Sequence, residues 1–474
     1  MNKEFQAENL LTRLSRIPIT RSIVGVIALL SLVWLAEAFD IGVLGPVLTS
    51  LHTHWQLDNT QMGWLSVIST IGVVIGMAPA GLLAGKFGRR KVVLFGIALF
   101  AVVTLVGALV NDFGQLLCIR LVAGLGEGAV LPMPYLFLSE FVHNRRRAVS
   151  VGYSNGILTA AYLIPNLASS WALNTFSADI SWRVPFLLGG IPLLMLIPLF
   201  LWLPESPRYL LQKGQFNKVQ TLVERLEKEA NLPHDTKLHD VRIQTARRDE
   251  KDTHHIFAQL RKPPYLQRTI FVIAQLTAAL LLFYVLQVYG PTLLVARGMD
   301  ESHAILYAGL MMLSAGIGSL VQGYLAEKFG RKRVLCMYVI LSTIGCLLFA
   351  THISVGIAIL AAFLASFFGL GIFPVSKLCV AEQYPNSLRG EGVYISEMTA
   401  RALSGCVTLF FIPTLIAHIG PDRLFIGIAA VFIILAMPFI IWGRETANMS
   451  VEEAGTRLTQ RQLDRVVGAA YSTK

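Results

Sequence analysis

A handful of ionisable side chains stand out in this sequence because everything around them is apolar. Glu37 and Asp40 lie three residues apart inside the run 23–48, and on a helix that spacing puts both on one face. A charge at mid-bilayer costs about 2.5–3.5 kcal/mol on insertion scales, so each such group needs a compensating role. Two carboxylates this close in a low dielectric disfavour double ionisation, which suits a group that takes a proton on one side and releases it on the other. Fixed hydrogen bonds to adjacent helices are the plainer use of the same residues. Glu127 stands near the middle of 115–139, two turns beyond Arg120 on the same face. It reads either as a proton site or as Arg120's distant counter-charge, and Arg120 as a structural or coupling group. Glu397 and Arg401 sit at i, i+4 with the acid first, the favourable orientation for an intrahelical pair. If they neutralise each other, Arg401 is structural. If Glu397 has a cytoplasmic partner instead, Arg401 is the midplane cation for a substrate carboxylate, which a guanidinium holds bidentately. Lys377 falls near the inner end of its run, where a lysine is expected to snorkel to the interface. Tyr284 with Gln287, and Tyr153 with Asn155, add aromatic and amide groups. Around one cation these suit a small planar acid, although a tyrosine stripe packs equally well.

The elements that must position these residues are membrane spans. Of 474 residues 54% are hydrophobic and 15% charged, against about 25% charged in soluble domains. About 20 apolar residues cross a bilayer as a helix. We read twelve such runs, at roughly 23–48, 62–85, 91–110, 115–139, 148–171, 184–203, 268–293, 303–326, 334–353, 355–381, 392–416 and 422–442, here called spans 1 to 12. A soluble enzyme, a nucleic-acid binder and a secreted disulfide scaffold all fit poorly. The net charge of +11 gathers after even-numbered spans, at Lys86, Arg89 to Lys91, Arg145 to Arg147, Lys328, Arg331 to Arg333 and Arg389. Lys and Arg mark the cytoplasmic side, so both termini are expected inside, with attraction to anionic inner-leaflet lipid as a secondary effect. No cleavable signal peptide is evident. The five cysteines show no paired spacing and the ten histidines avoid span interiors, so no disulfide framework, metal or cofactor is implied.

The predicted organisation is a cytoplasmic segment 1–22, a six-helix bundle 23–203, a cytoplasmic linker 204–267, a second bundle 268–442 and a tail 443–474. Phe216, Val219, Leu222, Val223 and Leu226 recur at helical spacing in the linker, the pattern of an amphipathic surface helix. The bundles repeat: G-L-L-A-G-K-F-G-R-R-K at 81–91 matches G-Y-L-A-E-K-F-G-R-K-R at 323–333, and Pro132 with Glu140 matches Pro374 with Glu382, always 242 residues apart. The constant offset is the mark of duplication, and the commonest use of a duplicated membrane bundle, though not its only one, is a transporter that rocks about a midplane site.

The two loops resemble the signature loop of the major facilitator superfamily, and Arg120-x-x-x-Gly124-x-Gly126-x-Gly128 resembles its second motif. Pro204-Glu-Ser-Pro-Arg208, Glu382 to Arg389-Gly390 and Gly443-Arg-Glu-Thr446 are similar to motifs of sugar porters and metabolite:proton symporters. Arg13 to Pro18 with Phe39-Asp40 looks most like bacterial nicotinate and aromatic-acid permeases. The resemblance implies an all-α membrane protein of twelve helices in two pseudo-symmetric bundles. It implies a conformational role for Gly81, Gly88, Arg89, Arg120, Glu140, Arg147, Glu327, Gly330, Arg331, Glu382 and Arg389. This chain departs from the pattern at Gly85, where the family's first loop carries an acid that latches the inner gate, while Glu327 keeps the acid in the second. It also lacks the adjacent Gln-Gln of sugar porters in span 7, having Gln275 and Gln287 instead.

The expected function is proton-coupled uptake of a small organic acid by a monomer in the bacterial inner membrane, with protons on Asp40, Glu37 and Glu127 and substrate held by Arg401, Tyr284, Gln287, Asn155 and Tyr153. Its partners are that small molecule, protons and lipid. A sugar or polyol symporter and an organic-cation carrier are the alternatives. A transporter-derived receptor would carry a long cytoplasmic extension, which the tail after Thr446 is too short to supply. No nucleophile–base set, metal cluster or phosphate loop points to an enzyme.

Overall fold

The computed structural model describes residues 3–141, 147–232, 260–263, 265–351, 355–384, 386–443 and 445–446. Ten helical stretches among them are long and apolar enough to cross a membrane. One, Glu391–Trp442, holds two passes, because Gly420 at φ 77° breaks it where span 11 gives way to span 12. The remaining pass, span 5, runs as Arg147–Ala161 and Leu163–Thr175, interrupted at Tyr162. These passes form the two repeated bundles.

The repeat is visible at its corners. Asp58 caps span 2 by accepting from Gln61 N at 2.7 Å, and Asp300 caps span 8 by accepting from His303 N at 3.1 Å. Each side-chain oxygen satisfies a backbone donor that the first turn leaves orphaned. Gly88 and Gly330 join spans 2 to 3 and 8 to 9 at φ 99° and 91°, a region that side chains with a Cβ avoid.

Small residues bring helices together. A Cβ on Gly124 or Gly128 would stand 2.3 or 2.1 Å from the Ser69 or Val73 carbonyl of span 2. Gly124 and Gly128 therefore let span 4 lie on span 2, while Gly126 between them admits span 3. Gly152, Gly156 and Gly316 do the same between span 5 and span 8, which belong to different bundles.

At the basic end, the amino-terminal helix Lys3–Arg16 lies on the linker helix Phe216–Glu229. Val219, Val223 and Leu226 face Leu10, Leu14 and Ile17 in one apolar cluster. Arg13 seals the contact through a bidentate pair with Glu227, at 2.8 and 2.6 Å, and that bond raises the Arg13 pKa above its ordinary value. The amino-terminal helix, the linker helix and the segment at Glu445–Thr446 all lie at this end.

Candidate substrate and proton site

Between the bundles lies a cavity of about 30 Å³, room for two or three waters at about 10–15 Å³ each. Trp34, Tyr135, Tyr162, Phe283 and Phe373 supply aromatic walls, and Glu37, Asn155, Thr159, Lys377 and Arg401 supply the polar groups. The bundles touch on both sides of it. Toward the end away from the basic loops, Thr49 pairs with Thr292 (3.1 Å), Ser50 donates to Glu301 (3.0 Å), Ser170 pairs with Ser302 (2.9 Å) and Tyr289 donates to Ser66 (2.9 Å). Toward the basic end, Val149 N donates to Glu327 Oε1 at 3.2 Å. The bundles thus meet at both ends of this central space.

Three charges on the second bundle converge there. Lys377 Nζ lies 2.7 Å from Glu397 Oε1, and its ammonium sits 4.9 Å from the centre of the Tyr135 ring of the first bundle. Arg401 Nη1 donates to Tyr284 Oη at 3.0 Å. Arg401 Nε stands 3.5 Å from Glu397 Oε2 without a hydrogen bond. The i, i+4 pair of Glu397 and Arg401 is thus present as an ion pair, and Lys377 shares the same carboxylate at shorter distance. Lys377 does not snorkel: it is 9% exposed and faces the cavity. A seven-residue π-helical turn, Ala402–Thr408, follows Arg401, and such turns gather at functional sites.

The acids of the first bundle divide. Glu37 lines the cavity, and its Oε2 has no hydrogen-bond partner. Asp40 turns into its own bundle, where Oδ1 accepts from Arg120 Nη1 at 3.1 Å and from Thr104 Oγ1, while Arg120 Nε donates to Ser69 at 2.9 Å. The shared face expected of Glu37 and Asp40 therefore serves two different surroundings. Arg120's counter-ion is Asp40 rather than Glu127. Glu127 is buried off the cavity with Oε1 unpartnered. Glu37, Asp40 and Glu127 stay within electrostatic reach of one another, and Glu37 within reach of Lys377, Glu397 and Arg401.

Two expected substrate ligands are corrected. Tyr153 is 58% exposed on the outer surface of its bundle and does not reach the cavity. Gln287 is buried away from the lining, with both amide atoms unpartnered. Asn155 does line the cavity, and Tyr284 reaches it through Arg401. Sequence reasoning missed Tyr135, Thr159 and Trp34. The repeat could have found the first two, since Tyr135, Asn155 and Thr159 stand 242 residues before Lys377, Glu397 and Arg401. Tyr135 Oη donates to Asn155 Oδ1 at 3.1 Å, as Lys377 donates to Glu397. One polar device has been copied twice, neutral in the first bundle and charged in the second.

The motif residues at the basic end are duplicated too. Glu205 Oε1 accepts from Arg89 N and Arg90 N (3.0 and 3.2 Å), and Glu445 accepts from Arg331 N and Lys332 N (3.1 and 3.0 Å). These carboxylates cap the helix amino termini. Arg89 pairs with Glu140 and shares Ser206, which donates to Glu140 at 2.6 Å. Arg331 pairs with Glu382 and shares Thr446, which donates to Glu382 at 2.6 Å. Gly81 packs 3.5 Å from the Tyr394 ring, measured from its would-be Cβ, and Gly85 faces open space. The side chains of Arg147 and Arg389 lie outside the described residues.

A niacin transporter of Acinetobacter baylyi is 25% identical over 447 residues, covering 94% of this chain and all of that one. A 4-hydroxybenzoate transporter of the same organism is 25% identical over 373 residues, 76% of this chain and 78% of its own. Among solved structures, a proton:xylose symporter of the major facilitator superfamily superposes with a TM-score of 0.71 at 19% identity, covering 91% of this chain and 98% of that one. A partially occluded, inward-open xylose transporter from E. coli gives 0.71 at 18%, over 90% and 98%. The family description "Sugar (and other) transporter" matches residues 25–457. With twelve passes in two repeated bundles around a central cavity, the chain belongs to the sugar (and other) transporter family and has the major facilitator fold.

Proposed function

We propose that this transporter imports a small planar carboxylic acid together with a proton across the bacterial plasma membrane. The supporting observation is the cavity itself: aromatic walls, Arg401 with an unused Nε, and Glu37 opposite. A guanidinium with free donors takes a carboxylate, and stacked rings take a flat body. A sugar site is the weaker reading. Among the described residues the cavity lining offers Asn155 as its only amide, Gln275 being engaged with Ser376 at 2.6 Å and Gln287 lying outside the lining. The names of the two relatives, transporters of niacin and 4-hydroxybenzoate, point the same way.

The coupling follows from charge. Glu37, Asp40, Glu127 and Glu397 oppose Arg120, Lys377 and Arg401, all buried. Net charge in low dielectric is costly, so four carboxyls and three cations hold one resident proton when empty. An incoming monoanion requires one more. Glu37 receives it, because it alone of the first bundle's acids faces the cavity. Asp40 stays with Arg120 to brace that bundle, and Glu127 is the reserve site behind it. The latches at Arg89–Glu140 and Arg331–Glu382 keep each bundle rigid as the pair rocks.

One proton per monoanion moves no net charge, so only the pH gradient drives accumulation, about tenfold per pH unit. In proteoliposomes, nicotinate, benzoate or 4-hydroxybenzoate uptake should alkalinise the outside mole for mole and ignore an imposed potassium–valinomycin potential. Transport of none of the three, or uptake without protons, would overturn the reading.

A further inference from the structure

Lys377 is the one cavity cation left without a task by the reading above, and its surroundings give it one. Its ammonium has three donors. One is spent on Glu397 at 2.7 Å, and the Tyr135 ring face at 4.9 Å holds the group electrostatically without accepting a conventional hydrogen bond. A donor remains for the cavity that Lys377 lines. Arg401 and Lys377 flank the same carboxylate, with Nε 3.5 Å from Oε2 and Nζ 2.7 Å from Oε1. Their heads are thus separated by little more than the width of one carboxylate and its two contacts. Both groups are therefore within reach of a single small substrate lying in the cavity. The copied device sharpens the point. The position equivalent to Lys377 is Tyr135, whose hydroxyl is used on Asn155, so at this repeat position the second bundle presents a charged donor and the first a neutral one.

We infer that Lys377 is a specificity-determining residue: Arg401 anchors the substrate carboxylate, and Lys377 donates to a ring nitrogen or ring hydroxyl at the far edge of the same molecule. This rests on the acid-carrier reading. The preferred class is then a planar acid with an in-ring or on-ring acceptor, and an acid lacking one binds more weakly because a buried ammonium donor is left unmatched. A site built to hydrogen-bond a substrate group discriminates strongly against the analogue without it.

The test is equilibrium binding of nicotinate, 4-hydroxybenzoate and benzoate to the full-length protein in nanodiscs by calorimetry. The wild type should favour the first two over benzoate by about tenfold or more, the value of a hydrogen bond to a charged group. Lys377→Met leaves Glu397 to recapture Arg401, so the decisive variant is the double K377M/E397Q, which removes both charges of the pair. It should bring the three affinities within about twofold of one another, whatever their common level. Lys377→Arg should keep part of the preference. Arg401→Gln should weaken all three together and leave their ratio intact. A preference that survives K377M/E397Q, or a wild type that binds all three acids equally, overturns the role of Lys377 alone. A wild type that binds none of them overturns the acid-carrier reading and this inference with it.

Discussion

At the scale of single residues, the two acids of span 1 differ because their neighbours differ. Asp40 is 0% exposed and accepts from Arg120 and Thr104, with Arg120 anchored in turn on Ser69. Removing one member of a buried pair costs about 3–5 kcal/mol, since the other is left uncompensated, so Asp40 and Arg120 are expected to report on folding as much as on transport. Glu37 has no such partner and faces the cations of the opposite bundle. An anion and an ionised Glu37 compete for the same positive charge, so protonation favours anion binding and affinity should fall as pH rises. For the wild type, acid binding should weaken about tenfold per pH unit above the titration of the site. Glu37→Gln should flatten that profile, abolish uphill accumulation and preserve exchange of internal for external substrate. An unchanged pH profile in E37Q would move the coupling proton elsewhere. The spacing of Glu37, Asp40 and Arg120 in the sequence marked them as buried charges. It could not say which acid Arg120 would choose, because that depends on how spans 1, 3 and 4 cross.

At the scale of elements, the signature loops turn out to be capping devices. The carboxylates of Glu205 and Glu445 satisfy the first backbone donors of spans 3 and 9, which is why an acid recurs in Pro-Glu-Ser-Pro and Arg-Glu-Thr. The symmetry breaks at one position. Glu327 caps the start of span 5 across the bundle interface, through Val149 N. Its equivalent is Gly85, with open space where a side chain would go, and the facing backbone would be that of Glu391, 242 residues beyond Val149. The symmetry stops there, because Glu391 lies in the second turn of the helix Asn386–Arg401, where its N–H is already bonded within the helix. Gly85→Glu should therefore leave initial uptake within about twofold of wild type, as for a surface change of about 0.5 kcal/mol. Severalfold slower uptake in G85E would show that a carboxylate at this position closes the inner side by another contact. The amphipathic linker helix was legible from its apolar spacing. Its partner was not, since Arg13 and Glu227 are 214 residues apart and meet only when the amino-terminal helix folds back.

At the scale of the whole molecule, transport requires the contacts above and below the cavity to open in turn. The outer seal includes the Thr49 and Thr292 hydroxyls at 3.1 Å. Replacing both with cysteine and oxidising should lock the outer side, stop uptake and recover it on reduction; undiminished uptake by the cross-linked protein would mean that these spans do not separate. The sequence by itself determined the membrane class, the twelve passes, the duplication at 242 residues and the list of charges that had to be explained. Those depend on hydropathy, charge bias and self-similarity, which are properties of the chain read in order. Tertiary structure alone decided which charges meet: that Lys377 stays in the cavity with Glu397, that Glu37 and Asp40 part company, and that Tyr153 faces outward. The physical reason is that a helix fixes the angle between its own side chains but not its rotation against a neighbour, and pairing inside a membrane is set by that rotation.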